Sequence, residues 1–458
     1  MEIERIFAQA LTGLASASNL FLISCGLTII FGVTRIVNFA HGSIYMLGAY
    51  FAVTLFEPLQ STFGRSTGFW LAMLGAILMS GMVGVLLEVT LLRRLYRSNE
   101  LFQILATFGV VLIVQDLVIW LWGPDDILGP RAPGLAGFVQ IGSQRFPSYN
   151  LFMICVGPAV LALLWMTFRY TKWGVLLRAA TEDKEMVGAL GVRDGLLMTS
   201  VVALGAALAG LAGALQMPVE PANSFMDVNI ITEAFVVTVI GGMGSLPGAF
   251  IASLIIGMLH SFGVAIFPKI SLVLIFLVMA VVLVCKPWGL LGTPEVEKGA
   301  AVTTGNPAIP FNWKAVAAIG AVLAALPLVL ANYQITLATE VIILSLFAFS
   351  LNFIMGNGGI VSFGHAAFFG LGAYGAALVV YHLKWPMELA LLAGIVAATA
   401  GAIVSGWFVV RLAGVYAAML TLAFAQIVWS AAFQWNAFTG GDNGVNGIWP
   451  SDWLRSRV

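Results

Sequence analysis

Charged residues are scarce in this sequence. Only 9% of its 458 residues are Asp, Glu, Lys or Arg, and 21 acidic and 21 basic side chains cancel to a formal net charge of zero. A soluble domain carries about 25% charged residues, whereas this chain is 60% hydrophobic with a mean hydropathy of +0.99. The composition therefore excludes a soluble globule and predicts a membrane protein, and the neutral balance gives no indication of a nucleic-acid partner.

Cysteine and histidine are also rare, at three and four residues. All three cysteines lie in apolar runs, where they are typical of small hydrophobic residues rather than disulfides. Four histidines make a multi-histidine metal site an unfavourable interpretation. The sequence contains no Gly-Lys-Ser/Thr triplet of a phosphate loop and no pattern of paired catalytic acids or Ser/His/Asp. We therefore expect no enzyme activity, cofactor or metal in this chain.

Long apolar runs dominate instead, and a membrane span needs about 20 such residues. They predict an all-α fold, a polytopic transmembrane helical bundle of roughly 12–14 membrane segments with broken helices. The first run lacks a basic leader and is interpreted as a retained helix. The candidate segments are 7–31, 44–56, 69–92, 101–122, 149–168, 196–217, 228–240, 249–267, 271–285, 315–330, 337–355, 366–381, 389–410 and 415–433.

One motif occurs twice, and its copies lie 324 positions apart. Both copies follow an apolar run and open another, so the short segment 44–56 is expected to begin inside the membrane. Polar, glycine-interrupted breaks at matching places in two halves point to a substrate path. The matching pairs include Ile36 and Ile360, Phe39 and Phe363, His41 and His365, Gly48 and Gly372, and Tyr50 and Tyr374.

Polar side chains within the two motifs are the candidates for lining that path. An alternative for each single residue is that it satisfies the broken backbone and packs helices together. The candidate path residues are Asn38, His41, Ser43, Ser362 and His365.

Residues 293–312 are polar and contain several Pro, Gly and Thr residues, which predicts a cytoplasmic linker. It separates a first unit at 1–292 from a second at 313–458. Basic residues cluster in loops such as 93–97 and 172–193, and the positive-inside rule places these loops on the cytoplasmic side.

The longest basic loop, 171–195, predicts a short amphipathic helix. Thr181 can cap a helix that starts with Glu182 and Asp183, and Gly191 can end it. The apolar residues Met186, Val187 and Leu190 are expected on one face, which indicates a docking surface. An ordinary solvated connection is the alternative.

Few ionisable residues occur inside the predicted spans. Asp116 lies deepest, next to Gln115, and could serve as an ion site in a secondary transporter. A structural role in bonding a neighbouring helix is the alternative. Glu88, Glu233 and His260 are further such residues, with Glu340 near the end of a span.

Three segments together resemble the permease subunits of branched-chain amino acid ABC importers. The segments 36–42, 178–191 and 239–249 resemble one of two paired permeases. Residues 344–365 and the end around 442–447 resemble the other, so two units that are commonly separate chains are fused here. The family also includes urea and amide importers.

The resemblance implies partners for this chain. They are two ATP-binding-cassette ATPase subunits, a periplasmic substrate-binding protein and the lipid bilayer of a bacterial inner membrane. It also implies that Glu182 to Gly191, comprising Glu182, Asp183, Met186, Val187, Leu190 and Gly191 among others, contacts an ATPase. The alternating-access cycle would be driven by those ATPases.

The second unit is incomplete by comparison with the family, because no second loop like 178–191 follows Arg411. A further permease chain is therefore among the expected partners. The alternative functions are a secondary transporter coupled to an ion gradient, a urea or amide ABC-importer permease, and a non-transporting membrane scaffold.

Overall fold

The computed structural model describes residues 2–96, 98, 100–182, 184–268, 270–293, 313–412 and 414–449. Nearly all of the predicted linker at 293–312 lies outside these residues. The chain divides into two compact units, Met1–Thr293 with Gln426–Asn446 and Pro294–Ala425 with Gly447–Val458. The unit boundaries of the sequence analysis stay predictions.

The described part of the chain is almost entirely helical, which confirms the predicted all-α class. In the first unit the helices are α1 (Glu2–Thr34), α2 (Ala40–Phe63), α3 (Arg65–Leu87), α4 (Arg93–Leu95), α5 (Glu100–Trp122), α6 (Ser148–Tyr170), α7 (Lys172–Glu182), α8 (Lys184–Ala189), α9 (Asp194–Gln216), α10 (Met226–Gly241), α11 (Leu246–Ile266) and α12 (Ser271–Cys285). The helices that follow along the chain are α13 (Trp313–Val329), α14 (Asn332–Asn352), α15 (His365–Leu383), α16 (Met387–Val409), α17 (Gly414–Gln434) and α18 (Asn436–Thr439). A π-helical turn, Glu88–Leu92, joins α3 to α4, and a second, Phe353–Asn357, follows α14.

Ten helices among the described residues are long and apolar enough to cross a membrane. They are α1, α3 with its extension through α4, α5, α6, α9, α11, α14 with its π turn, α15, α16 and α17. The apolar part of α12 is shorter. The first unit is built around α1, which from Gly13 onward is largely buried by α6, α9, α10 and α11.

Two helices of the first unit start inside the bundle rather than at its surface. The Nε2 atom of His41, in the first turn of α2, lies 3.1 Å from the carbonyl oxygen of Ile23. Ile23 precedes the end of α1 by 11 residues, or about 16 Å along a helix. The segment after α1 therefore turns back into the bundle before α2 begins. A start of this helix inside the membrane stays a prediction.

The second such helix, α10, runs parallel to α1. Ser24 bonds to the carbonyl of Ala234, and Thr28 contacts Thr238, with the same sequence separation in both pairs. The first turn of α10 reaches the first turn of α2, because Asp227 accepts a hydrogen bond from Ser43. The first turns of two helices of opposite direction thus meet beside α1.

The sequence analysis missed a β-hairpin. Strands β1 (Phe138–Ile141) and β2 (Gln144–Pro147) pair in antiparallel register, and Ser143 in their turn donates to Glu4 at the start of α1. A two-residue Gly-Ser connection is a hairpin signal, and Gly142 adopts the left-handed φ of +63° that such a turn requires. Because Ser143 binds Glu4, the hairpin lies at the end of the first unit where α1 begins. Arg93, Arg178 and Arg193 lie at the opposite end, and we call that opposite end the basic end.

Small residues let the helices of the first unit approach at backbone distance. A Cβ added to Gly213 of α9 would overlap the backbone of Tyr45 in α2, and one at Gly48 would overlap the backbone of Gly210. Close approach at small residues is how membrane helices associate in the absence of a hydrophobic driving force between them.

We predict that Gly213→Ala destabilises the protein. The added methyl group must displace backbone, and overpacking of this kind costs about 1–3 kcal/mol. The thermal unfolding midpoint of the detergent-solubilised protein would measure the effect. Gly109→Ala in α5 is the matched control, because its Cβ meets no atom within 4 Å. Equal midpoints for the two variants would contradict the prediction.

Candidate functional site

The break between α1 and α2 is held by local backbone geometry and one amide side chain. Arg35 adopts a left-handed φ of +58°, and its N–H donates to the Phe31 carbonyl, so it ends α1 where glycine is more usual. Asn38 is fully buried, and its Oδ1 accepts the N–H of Ala40 at 3.1 Å. The side chain of Asn38 therefore satisfies backbone that the break would otherwise leave unpaired.

The imidazole of His41 ties the start of α2 to α1. Because the Ile23 carbonyl can only accept, the Nε2 atom of His41 must carry the proton, and Nδ1 is left as an acceptor. The ring fits because Gly26 lies beside it, where a Cβ would approach the ring to 3.0 Å. Nδ1 of His41 has no hydrogen-bond partner among the described residues.

We call this contact between a histidine and the preceding helix the tether. The second unit has a corresponding tether in which one residue differs. His365 starts α15, and its Nε2 lies 2.7 Å from the hydroxyl of Ser350 in α14. Ser350 in turn donates to the carbonyl of Phe347 at 2.8 Å. By the spacing of the repeated motif, Phe347 is the counterpart of Ile23 and Ser350 is the counterpart of Gly26.

Both units therefore direct a histidine toward the same carbonyl of the preceding helix. In the first unit the imidazole reaches that carbonyl directly over a glycine. In the second unit the hydroxyl of Ser350 stands between them, and Nδ1 of His365 is again without a partner among the described residues. The repeat is thus a repeat of bonding geometry as well as of sequence.

The remaining predicted path residue of the second unit, Ser362, is buried three positions before His365, as Asn38 is before His41. The next residue, Phe363, donates its N–H to Thr421 of α17 at 2.9 Å. The start of α15 is thereby attached to two neighbouring helices of its unit.

Ser43 belongs to a polar cluster that the sequence did not reveal. It donates to Oδ2 of Asp227 at 2.9 Å, and Gln115 donates to Oδ1 at 2.9 Å. The N–H of Val228 also donates to Oδ1, and Asp227 is buried. The carboxylate therefore joins α2, α5 and the first turn of α10, where a negative charge is favourable.

Asp116 occupies a different position from its neighbour. Its side chain is exposed on α5, whereas Gln115 reaches Asp227 in the interior. Asp227 is thus the carboxylate of this interior cluster, and the sequence analysis did not propose it as a site residue. The sequence signal for this site was the position of Asp227, a charged residue in the first turn of α10, shortly after the loop that contains Pro221, Ala222 and Asn223.

The loop between α6 and α9 forms two helices, and we call residues 172–191 the connecting segment. The predicted helix start is wrong, because Thr181 and Glu182 belong to the last turn of α7 and the Thr181 hydroxyl donates to the Arg178 carbonyl. The second helix is α8, and Asp183 lies outside the described residues. Gly191 follows α8 with a φ of +85°, which confirms it as the residue that ends the helix.

The apolar residues in and directly after α8 point in two directions rather than one. Met186 and Leu190 are exposed, Leu190 by 77%, whereas Val187 is buried. Val187 enters an apolar cluster that includes residues of α1, α6, α7 and α9, which we call the anchoring cluster. Its members are Phe21, Cys25, Ile29, Val33, Leu164, Leu177, Ala180, Val187, Leu197, Met198, Val201 and Leu208.

This arrangement makes α8 a protrusion with an anchored base. Adjacent positions on a helix are about 100° apart, so Met186 and Val187 cannot share one direction. The exposed pair offers an apolar surface at the basic end, and Val187 connects that surface to α1 and α9. Among the described residues, no group of three or more His, Cys, Asp or Glu side chains is placed to hold a metal.

We predict that Ser43→Ala lowers the stability of the first unit. The substitution removes a donor from the buried Asp227, and an unsatisfied buried group costs about 1–3 kcal/mol. Thermal unfolding in detergent measures the change. Ser61→Ala is the control, because the exposed Ser61 hydroxyl bonds only within its own helix, to Pro58. An unchanged midpoint for Ser43→Ala would argue against the cluster.

Known proteins resemble both halves of the chain. A family model described as the permease component of the branched-chain amino acid transport system matches residues 9–283 and 333–455. No solved structure matches.

Several curated relatives carry that description in their names. The high-affinity branched-chain amino acid transport system permease LivH of Escherichia coli K12 is 29% identical over 299 residues, or 63% of this chain and 96% of LivH. BraD of Pseudomonas aeruginosa is 28% identical over 304 residues, or 65% of this chain and 99% of BraD. LivM of Salmonella typhimurium LT2 is 33% identical over 123 residues, or 27% of this chain and 29% of LivM. Since the family model covers most of the chain, the protein belongs to the family of branched-chain amino acid transport permeases, the multi-pass membrane subunits of ABC importers.

Proposed function

We propose that this permease imports branched-chain amino acids across a bacterial inner membrane. It would do so together with two ATP-binding-cassette ATPase subunits and a periplasmic substrate-binding protein. The names of LivH and BraD support the substrate class, since both align over nearly their whole length with this chain. A further permease chain is an additional partner in this proposal.

The meeting of α2 and α10 inside the bundle carries the proposal. Non-helical backbone is tolerated at membrane depth only where protein buries it or where it lines a wet cavity. Here the break brings Asn38, His41 and Ser43 together with Asp227. We assign the first three, with Ser362 and His365 of the second unit, to the translocation path.

The connecting segment supports a role in coupling to an ATPase. Met186 and Leu190 are exposed at the basic end, and the positive-inside rule assigns that end to the cytoplasm. Glu182, Asp183, Met186, Val187, Leu190 and Gly191 are the residues to which we assign this contact. The turn at Gly191 ends α8, so the exposed protrusion is short.

In the proposed transport cycle, a displacement of the connecting segment is transmitted to the translocation path. A displacement of α8 would act through Val187 on the anchoring cluster, which contains Cys25 and Ile29 of α1. The carbonyl of Ile23 lies on the same helix, and His41 binds it. Movement of α1 therefore pulls on the first turn of α2, so an ATP-driven closure of the partner subunits alternately opens the path to each side.

Uptake of radiolabelled leucine tests the proposed function. The chain is expressed with the ATPase and substrate-binding subunits of a branched-chain amino acid importer, in cells that lack their own leucine importers. We expect ATP-dependent uptake that unlabelled isoleucine and valine compete away and urea does not. Uptake driven by an ion gradient without any ATPase would contradict the proposal, as would competition by urea alone.

We predict that Leu190→Glu weakens ATPase binding by about tenfold or more, because a charge replaces an exposed apolar contact residue. Co-purification of the ATPase with the tagged permease measures this. Leu128→Glu is the matched control, since Leu128 is also 77% exposed but lies in the loop after α5, away from the basic end. Equal ATPase recovery with both variants would reject the contact surface.

A further inference from the structure

A buried carboxylate lies where α3 ends. Glu88 begins the π-helical turn Glu88–Leu92, and its side chain is completely buried. Inserted π turns in α-helices occur frequently at functional sites. Neither the proposed path nor the exposed surface of the connecting segment uses this residue.

Three side chains from different places donate to Glu88. Arg93 of α4 forms an ion pair with it, with Nη2 at 3.0 Å and Nε at 3.2 Å. The Thr199 hydroxyl of α9 lies 2.7 Å from the carboxylate and 2.8 Å from the Gly195 carbonyl oxygen, so the two acceptors share its single proton. The Tyr96 hydroxyl lies 3.3 Å from the carboxylate. Arg93 also contacts Thr199 at 2.8 Å, so the four groups form one network. We call it the Glu88 network.

The Glu88 network adjoins the base of the connecting segment. The ring of Tyr96 packs against the anchoring cluster, into which Val187 of α8 inserts, while its hydroxyl binds Glu88. Thr199 is in the second turn of α9, directly after the cluster residues Leu197 and Met198. A shift of α8 therefore reaches Glu88 both through Tyr96 and through α9.

Helix packing also connects the Glu88 network with the proposed translocation path. The helices α3 and α9 pack tightly, with Gly84 against Ala206 and Gly210 against Ser80. Further along α9, Gly213 packs against the backbone of Tyr45 in α2. A fixed angle between α3 and α9 thus determines where the first turns of α2 can lie.

We infer that Glu88 is a positioning residue that makes α3 and α9 move together with the connecting segment during transport. Because a buried carboxylate is costly unless donors surround it, loss of one donor favours separation of the helices it joins. The inference rests on the proposed ATP-driven function. It assigns Glu88, Thr199 and Tyr96 to coupling rather than to substrate or ATPase binding.

Thr199→Val and Glu88→Gln test the inference in the complete complex reconstituted into liposomes, with leucine as the transported probe. We expect leucine transported per ATP hydrolysed to fall about tenfold, in the range of a typical coupling free energy. ATP hydrolysis and ATPase co-purification should persist. Thr199→Ser retains the hydroxyl and should restore coupling.

The control is Thr90→Val, because the exposed Thr90 hydroxyl lies in the same π turn but bonds only to the Leu86 carbonyl. Unchanged coupling in Thr199→Val would overturn the inference. So would parallel loss of transport, hydrolysis and assembly that Thr199→Ser does not rescue, because that pattern marks a role in folding alone. A wild-type complex without ATP-dependent uptake would instead overturn the proposed function on which the inference rests.

Discussion

The first unit depends on how a helix can start inside an apolar bundle. Backbone groups released at a break have no water to bind in a hydrocarbon environment and must be paired within the protein. Asn38 supplies an acceptor for the new helix, and the left-handed Arg35 closes the old one. The hydrogen bond from His41 to the Ile23 carbonyl then fixes the depth at which α2 begins. The contacts of Asn38, His41 and Ser43 follow from that depth.

The two units reach the same tether by different chemistry. A glycine at position 26 brings the imidazole of His41 directly to the carbonyl, whereas Ser350 at the matching position uses its hydroxyl as a bridge. The serine both donates to Phe347 and accepts from His365, so its hydroxyl is paired as donor and as acceptor. The tether therefore tolerates a change in the preceding helix, provided that the replacement can both donate and accept.

Helix α1 links the proposed path to the basic end of the first unit. Its interior face carries the carbonyl that binds His41, and the same helix contributes Phe21, Cys25 and Ile29 to the anchoring cluster. Val187 joins that cluster from α8, so an apolar contact at one end and a hydrogen bond in the interior share one rigid element. Packed interiors transmit strain because they are nearly incompressible. This gives a physical route from a surface protrusion to a break some distance away.

Local pattern in the sequence determined the class of the protein, most of its spans, the repeated breaks and the left-handed turn at Gly191. Apolar length, glycine and motif spacing are properties of adjacent residues, and they carry this information directly. Only the tertiary structure decided that Asp227 lies beside Ser43, 184 positions away, and that Val187 points inward while Met186 points outward. It also decided that Glu88 is surrounded by donors from α4, α9 and Tyr96. Such pairings depend on which helix faces pack together, and uniformly apolar helices leave little periodic signal of their buried faces.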